Sequence, residues 1–199
     1  MTPDDLRSAL AELTQQITQQ LASRPPGTAP GTTPAAALDA TLDAWLNREH
    51  GPGSATFDRL RALCEAGVRD GWLCQREGGG IRYGRIFKPT DDLHGFSVDV
   101  VDMNDIAGPH HVHPHGEIDL VMPQSAPDAA SDARFDGRPA GWCVYPPGSA
   151  HWPTVTGGRA LVLYLLPQGA IEFTGRTRED DRTADAARQP VPAPQETRR

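Results

Sequence analysis

The sequence predicts a mainly β protein, a sandwich or barrel of short strands preceded by an N-terminal helical segment. Up to about residue 70, apolar residues recur every three or four positions, the period of an amphipathic helix. From Gly71 onward the period shortens. Stretches at 81–87, 96–101, 117–122, 142–145, 161–165 and 171–173 are rich in β-branched or aromatic residues and separated by Gly, Pro, Asp and Ser clusters. Several short strands at such spacing indicate an all-β sandwich or barrel.

The first helix is expected over 3–22, where Leu6, Leu10, Leu13, Ile17 and Leu21 form one stripe and Thr2 or Asp4 can cap the first turn. The Pro- and Gly-rich run 24–34 breaks it and reads as a linker. Two further helices are expected over about 35–47 (Leu38, Leu42, Trp45, Leu46) and 55–70 (Phe57, Leu60, Leu63, Cys64, Val68). Their apolar stripes require a partner surface, either the outside of the sandwich or a subunit interface. After Phe173 the chain has almost nothing to bury, so 174–199 is expected to be a disordered tail. The predicted organisation is therefore a helical segment 1–70, a β-barrel 71–173 and a tail.

At 199 residues and 21.4 kDa the chain fits one β domain with appendages. A net charge of -7 and a pI near 5.4 argue against a nucleic-acid partner, which would call for a basic face. No long apolar run is present, so no membrane-spanning helix is expected. The N-terminus lacks the basic and apolar regions of a signal peptide, which makes the cytoplasm the expected location. Cys64, Cys74 and Cys143 are too scattered for a disulfide framework or a paired-cysteine metal site.

Residues 108–151 carry the chemistry. They contain His111-x-His113-x3-Glu117 and, later, Pro146-x-Gly148-x2-His151. Strand alternation puts His111 and His113 on one face. Pro114-His115-Gly116 supplies a turn from which Glu117 returns on the antiparallel neighbour, pointing into the same cavity. His151 follows a second Pro/Gly turn. Three imidazoles and one carboxylate suit one divalent transition metal, whether Fe, Mn, Zn, Co or Ni.

This pair of motifs resembles the double signature of the cupin superfamily, a jelly-roll β-sandwich or barrel, with His111, His113, Glu117 and His151 on its four metal positions. Val155 departs from the Asn that commonly ends the second motif, a position that is not a ligand. The linking segments 71–85 (GWLCQREGGGIRYGR), 111–121 (HVHPHGEIDLV), 141–151 (GWCVYPPGSAH) and 160–167 (ALVLYLLP) resemble the bacterial 4-hydroxylaminobenzoate lyases, over most of the chain. That resemblance implies a carbon–nitrogen lyase of nitroaromatic degradation, which converts 4-hydroxylaminobenzoate to protocatechuate with release of ammonia. The cupin precedent and the helical stripes together favour a homodimer. Two other readings stand beside it: another small-molecule cupin enzyme such as a non-haem iron dioxygenase, and a metal-free cupin that binds an aromatic acid.

An aromatic carboxylate needs a cationic clamp and an apolar slot. Arg85 and Arg82 are the candidate clamps, because a guanidinium binds a carboxylate through two parallel hydrogen bonds. Only one strand parity faces inward, and Arg85, sharing its face with Tyr83 and Phe87, is favoured over Arg82. Trp142, Tyr145, Trp152 and Tyr164 are candidates for the ring slot, and Tyr83, on the face of Arg85, is a further substrate-binding candidate. His115, His110 and Glu77 are the candidate general acids or bases.

Overall fold

The computed structural model describes residues 1–23, 38–124 and 131–179. Helix α1, Pro3–Ala22, starts where Thr2 accepts from the backbone N–H of Asp5 while the Asp5 carboxylate accepts from that of Thr2, a reciprocal cap with Pro3 in the first turn. Helix α2, Ala40–His50, begins later than the periodicity predicts. The Asp39 carboxylate accepts from the N–H groups of Thr41 and Leu42, and that cap fixes the start at Ala40. Helix α3, Ala55–Arg69, is capped by Ser54. The predicted linker 24–34 and the first three residues of the predicted second helix lie outside the described residues.

The strands are β1 Arg76–Gly78, β2 Ile81–Phe87, β3 Phe96–Asn104, β4 His111–His113, β5 Glu117–Gln124, β6 Arg134–Phe135, β7 Gly141–Tyr145, β8 Ser149–His151, β9 Val155–Thr156, β10 Arg159–Pro167 and β11 Glu172–Phe173. A six-stranded antiparallel sheet runs in the order β1-β2-β3-β10-β5-β7. A three-stranded sheet β11-β4-β8 and a two-stranded sheet β6-β9 complete the strand framework. Gly79 and Gly80 join β1 to β2, both at positive φ, as a two-residue hairpin of this twist demands. The architecture is the mainly β sandwich of antiparallel sheets with N-terminal helices that the sequence predicts. No described helix is long and apolar enough to cross a membrane.

Alternation divides the large sheet into two faces. Val98, Val100, Ile118, Leu120, Leu161, Leu163 and Leu165 point outward into one apolar layer with Leu6, Leu10, Leu13 and Ile17 of α1, Leu42 and Leu46 of α2, and Phe57 and Leu60 of α3. The opposite, interior face buries Ile81, Met103, Val121, Cys143, Val162, Tyr164 and Leu166 against Phe135 and Val155 of the β6-β9 sheet. The helical stripes are thus covered within the chain by the outer face of the sandwich. They carry no argument for a dimer.

Helix α2 also closes the free edge of the sheet at β7. Asn47 accepts from the backbone N–H of Trp142 (2.8 Å) and donates to its carbonyl (2.9 Å), while Asp43 accepts from the N–H of Val144 (3.1 Å). These side chains stand in for a missing seventh strand.

The tail departs from expectation in its first residues. Thr174 donates its N–H to the His110 carbonyl (3.2 Å), and the Arg178 guanidinium lies 5.5 Å over the Trp152 ring. The described part of the tail therefore docks beside β4 and β8, and residues 180–199 lie outside the described residues.

Candidate metal centre

Antiparallel pairing of β4 with β8 sets His111 opposite His151 and His113 opposite Ser149. Period-two alternation then aims His111 and His113 together into the barrel. The turn to β5 passes through Gly116 at φ +82°, where a Cβ would stand 2.7 Å from the Tyr145 carbonyl oxygen. A side chain cannot fit there, and the tight passage delivers Glu117 to the interior. One potential ligand atom from each of His111, His113, Glu117 and His151 lies within 4.8 Å of the others.

The hydrogen bonds around this cluster indicate what it is built to hold. His111 Nδ1 lies 3.0 Å from the Pro109 carbonyl, and His151 Nδ1 lies 2.5 Å from the Asp136 carboxylate. Both partners of the Nδ1 atoms only accept, so each Nδ1 carries a proton, and a neutral ring then turns its Nε2 lone pair toward the other. Those two Nε2 atoms face each other at 3.0 Å. Two bare lone pairs at that distance repel unless a cation lies between them. Ligands about 2.0–2.1 Å from one ion and at right angles around it stand about 2.9 Å apart, so the spacing fits a shared metal.

Burial sharpens the point. His113 and Glu117 are fully buried, and His113 Nδ1 lies 3.1 Å from a Glu117 oxygen without the alignment of a hydrogen bond. Neither ring nitrogen of His113 nor either oxygen of Glu117 has a hydrogen-bond partner among the described residues. Unsatisfied buried polar atoms are costly, and a cation would satisfy one ring nitrogen of His113 and the Glu117 carboxylate together. Burial, then the neighbouring imidazoles, lowers His111 to a pKa of about 3; burial and His151 bring His113 to about 3 as well. Both are thus neutral, as ligands must be. Burial pushes the Glu117 carboxyl well above the usual carboxylate range, the direction a cation would reverse.

A polar row crosses the interior face beside the cluster. Arg85 stands opposite Asp99, Asp99 opposite Tyr164, Tyr164 opposite Asp119, and Asp119 opposite Cys143. Arg85 Nε donates to both Asp99 oxygens at 3.0 Å, and Nη1 lies beside Gly169. A register shift between Arg85 and Phe87 marks a bulge in β2. Bulges re-aim side chains beside sites, and here Phe87 joins the outer layer although Arg85 stays on the interior face. Asp119 is fully buried with both oxygens unpartnered among the described residues, and burial next to Glu117 raises its pKa strongly.

Tyr145 also faces the cluster. Its ring stacks on His113 with centroids 5.9 Å apart, and its hydroxyl donates to Asp136 at 2.9 Å. Tyr164 is buried in the polar row, whereas Tyr83 is exposed near the sheet edge.

Five predicted site residues are placed elsewhere. Trp142 points to the outer layer, its indole N–H donating 2.8 Å to the His50 carbonyl, because its parity is opposite to that of Cys143 and Tyr145. Arg82 is on the outer face, 3.8 Å from Asp102, a carboxylate that Arg159 binds with two hydrogen bonds. Glu77 pairs across from Arg82 on exposed β1 and shares that outer face. His110, one residue out of phase with His111, turns away to pair Nδ1 with the Thr174 hydroxyl at 2.8 Å and to meet Trp152 edge-on. His115 is half-buried in the turn between β4 and β5 and does not join the four-residue cluster.

Sequence reasoning missed Asp119 and Asp136. Asp119 was within reach, two residues beyond Glu117 and hence on the same face of a strand. Asp136 carries an Asp-Gly turn signal, but its contacts are with residues 9 to 18 positions away.

The 4-hydroxylaminobenzoate lyase family, PnbB, matches residues 32–173, a span that includes all four cluster residues. The chain belongs to this family. A 4-hydroxylaminobenzoate lyase of Nocardioides sp. (strain LMS-CY) is 37% identical over 135 residues, covering 65% of this chain and 79% of that protein. A second, from Pseudomonas putida, is 31% identical over 142 residues, covering 65% and 80%. Among solved structures, a cupin-like protein from Thermotoga maritima aligns with 54% of this chain and 86% of its own, at 18% identity and a TM-score of 0.30.

Proposed function

We propose that this protein is a carbon–nitrogen lyase that converts 4-hydroxylaminobenzoate and water to protocatechuate and ammonia. The observation that carries this reading is the match to two lyases over about four-fifths of their length, with the cluster inside the matched span. The reaction is redox-neutral. Heterolysis of the N–O bond removes hydroxide and leaves a ring cation, and water adds at the carbon beside the nitrogen. A second water hydrolyses the resulting imine, releasing ammonia, and loss of a ring proton restores the catechol.

A divalent ion held by His111, His113, Glu117 and His151 would supply Lewis acidity toward the hydroxylamine oxygen or toward an attacking water. The protein's own residues supply orientation. Arg85 has its Nε tied to Asp99, which fixes the guanidinium plane and turns its other N–H groups toward a carboxylate. Gly169, beside Arg85 Nη1, is linked by only three residues to Phe173, whose ring meets His111 edge-on at 5.6 Å. Gly169 and Phe173 thus lie within about 15 Å of one another even for extended chain, which supports reading the clamp and the cluster as two ends of one site. Tyr145 and Tyr164 wall it, and Trp152 and Tyr83 lie toward its margins.

Purified protein incubated anaerobically with 4-hydroxylaminobenzoate should yield protocatechuate and ammonia in equal amounts. In heavy-oxygen water both ring hydroxyls should carry the label. A requirement for molecular oxygen would point instead to a dioxygenase, and unchanged substrate with tight binding to a binding protein.

Arg85→Ala and Arg85→Lys should each raise KM by about 10- to 100-fold, the worth of a charge-assisted bidentate pair, with metal content unchanged. Arg82→Ala should be kinetically silent. Steady-state kinetics with elemental analysis checks both, and a silent Arg85→Ala would remove the clamp from this reading.

A further inference from the structure

We infer that Asp136 is a positioning residue of the centre: it holds His151 by Nδ1 so that the Nε2 lone pair is presented to the point shared with His111, His113 and Glu117. The inference rests on the metal reading of that cluster. Asp136 leaves β6 at φ +49° and, with Gly137 at φ +77°, forms the two-residue turn to Arg138, a geometry that takes positive φ at both positions. Four hydrogen bonds then fix its position. Its N–H donates to the Thr154 carbonyl at 2.8 Å, its Oδ1 accepts from the Thr154 N–H at 2.8 Å, and its Oδ2 accepts from both His151 Nδ1 (2.5 Å) and the Tyr145 hydroxyl (2.9 Å). The carboxylate is anchored on one oxygen and works with the other.

The division of labour differs among the three imidazoles. His111 is oriented by a backbone carbonyl, and His113 has no described hydrogen-bond partner. Of the three, His151 alone makes a hydrogen bond to a carboxylate, since His113 Nδ1 lies near Glu117 without the alignment of one. An anionic acceptor fixes ring orientation and tautomer, and raises the basicity of the opposite nitrogen. His151 also sits at the end of the three-residue β8, where the chain leaves the sheet. Tyr145 adds a second tie, so the Asp136 carboxylate links a wall of the cavity to a ligand.

A purely structural Asp136 would fasten the β6 turn to Thr154 and affect folding without affecting metal affinity. The test uses full-length protein stripped with a chelator and titrated with Co(II) against a competing chelator, in wild type, Asp136→Asn, His151→Ala and the double variant. Asp136→Asn should weaken cobalt binding by about 10- to 100-fold and shift the visible absorption of bound cobalt. In the His151→Ala background the same change should add nothing, because Asp136 acts through His151. Affinity within about twofold of wild type with an unshifted spectrum, or an equal loss in both backgrounds, overturns the inference. Full cobalt binding by His151→Ala overturns the metal reading itself and the inference with it. Should Asp136→Asn fail to fold, the nitrogen-15 imidazole spectrum of zinc-loaded wild type decides: Nδ1 protonated and Nε2 ligated on His151 supports the assignment, and the reverse tautomer sinks it.

Discussion

Replacing His113 by alanine is expected to strip the protein of nearly all transition metal, from about one ion per chain to almost none. His113 is fully buried, offers two ring nitrogens with no described hydrogen-bond partner, and stands against Glu117 at the meeting point of β4 and β5. Removing it deletes one of four donors and leaves a void that water or a rotated neighbour fills, so the remaining three lose their common geometry. Stability should follow metal. A ligand that binds only the folded state raises the thermal midpoint by mass action, so wild type should melt at a higher temperature with metal than after chelation. The variant should melt at one temperature in both conditions. Elemental analysis and calorimetry check these together, and a His113→Ala protein with full metal content would dissolve the centre as drawn. His151→Ala should behave alike, since its Nε2 is the partner His111 faces at 3.0 Å.

The convergence of His111, His113, Glu117 and His151 was legible because strand alternation and turn chemistry are local rules. His111 and His113 need only a period of two, and Glu117 and His151 need only the Pro/Gly turns printed beside them. The same rules fixed which arginine faces inward. They failed at Trp142, where an aromatic next to a motif was read as part of the slot, although its parity commits it to the helix layer and its indole N–H to the His50 carbonyl. They failed for His110 as well, one position out of phase with two ligands. The second helix begins five residues later than its apolar spacing predicts, because capping by Asp39 outranks periodicity at a terminus. Short strands such as β6, β8 and β9 carry two or three residues each, too few for a period, and exist through pairing with distant segments. Asp136 belongs to that class: a turn residue in sequence, a support for His151 in space.

A chain beginning at Gly71 is expected not to fold. The helices it lacks contribute Leu6, Leu10, Leu13, Ile17, Leu42, Leu46 and Leu60, each at most 1% exposed in the layer against the large sheet. At roughly 1.5–3 kcal/mol for each large apolar side chain buried, these seven supply about 10–20 kcal/mol. A domain's whole stability is about 5–15 kcal/mol, so the sandwich cannot absorb the loss. The exposed outer face would present Val98, Val100, Leu120, Leu161 and Leu163 to water as one contiguous patch. The edge makes matters worse. Without Asn47 and Asp43, β7 keeps free backbone groups at Trp142 and Val144, the template on which unpaired strands aggregate. Expression of 71–199 should therefore give insoluble protein, and addition of a 1–70 fragment during refolding should restore solubility and metal binding. A soluble, cooperatively melting 71–199 protein would show that the barrel stands alone and that the helices only decorate it. Asn47→Ala in the full chain isolates the edge contribution: it removes the reciprocal pair with Trp142 while leaving the apolar layer intact. Two lost hydrogen bonds at about 1 kcal/mol each, together with the buried groups they leave unpaired, predict a loss of about 2–4 kcal/mol, readable as a lowered urea midpoint with an unchanged slope.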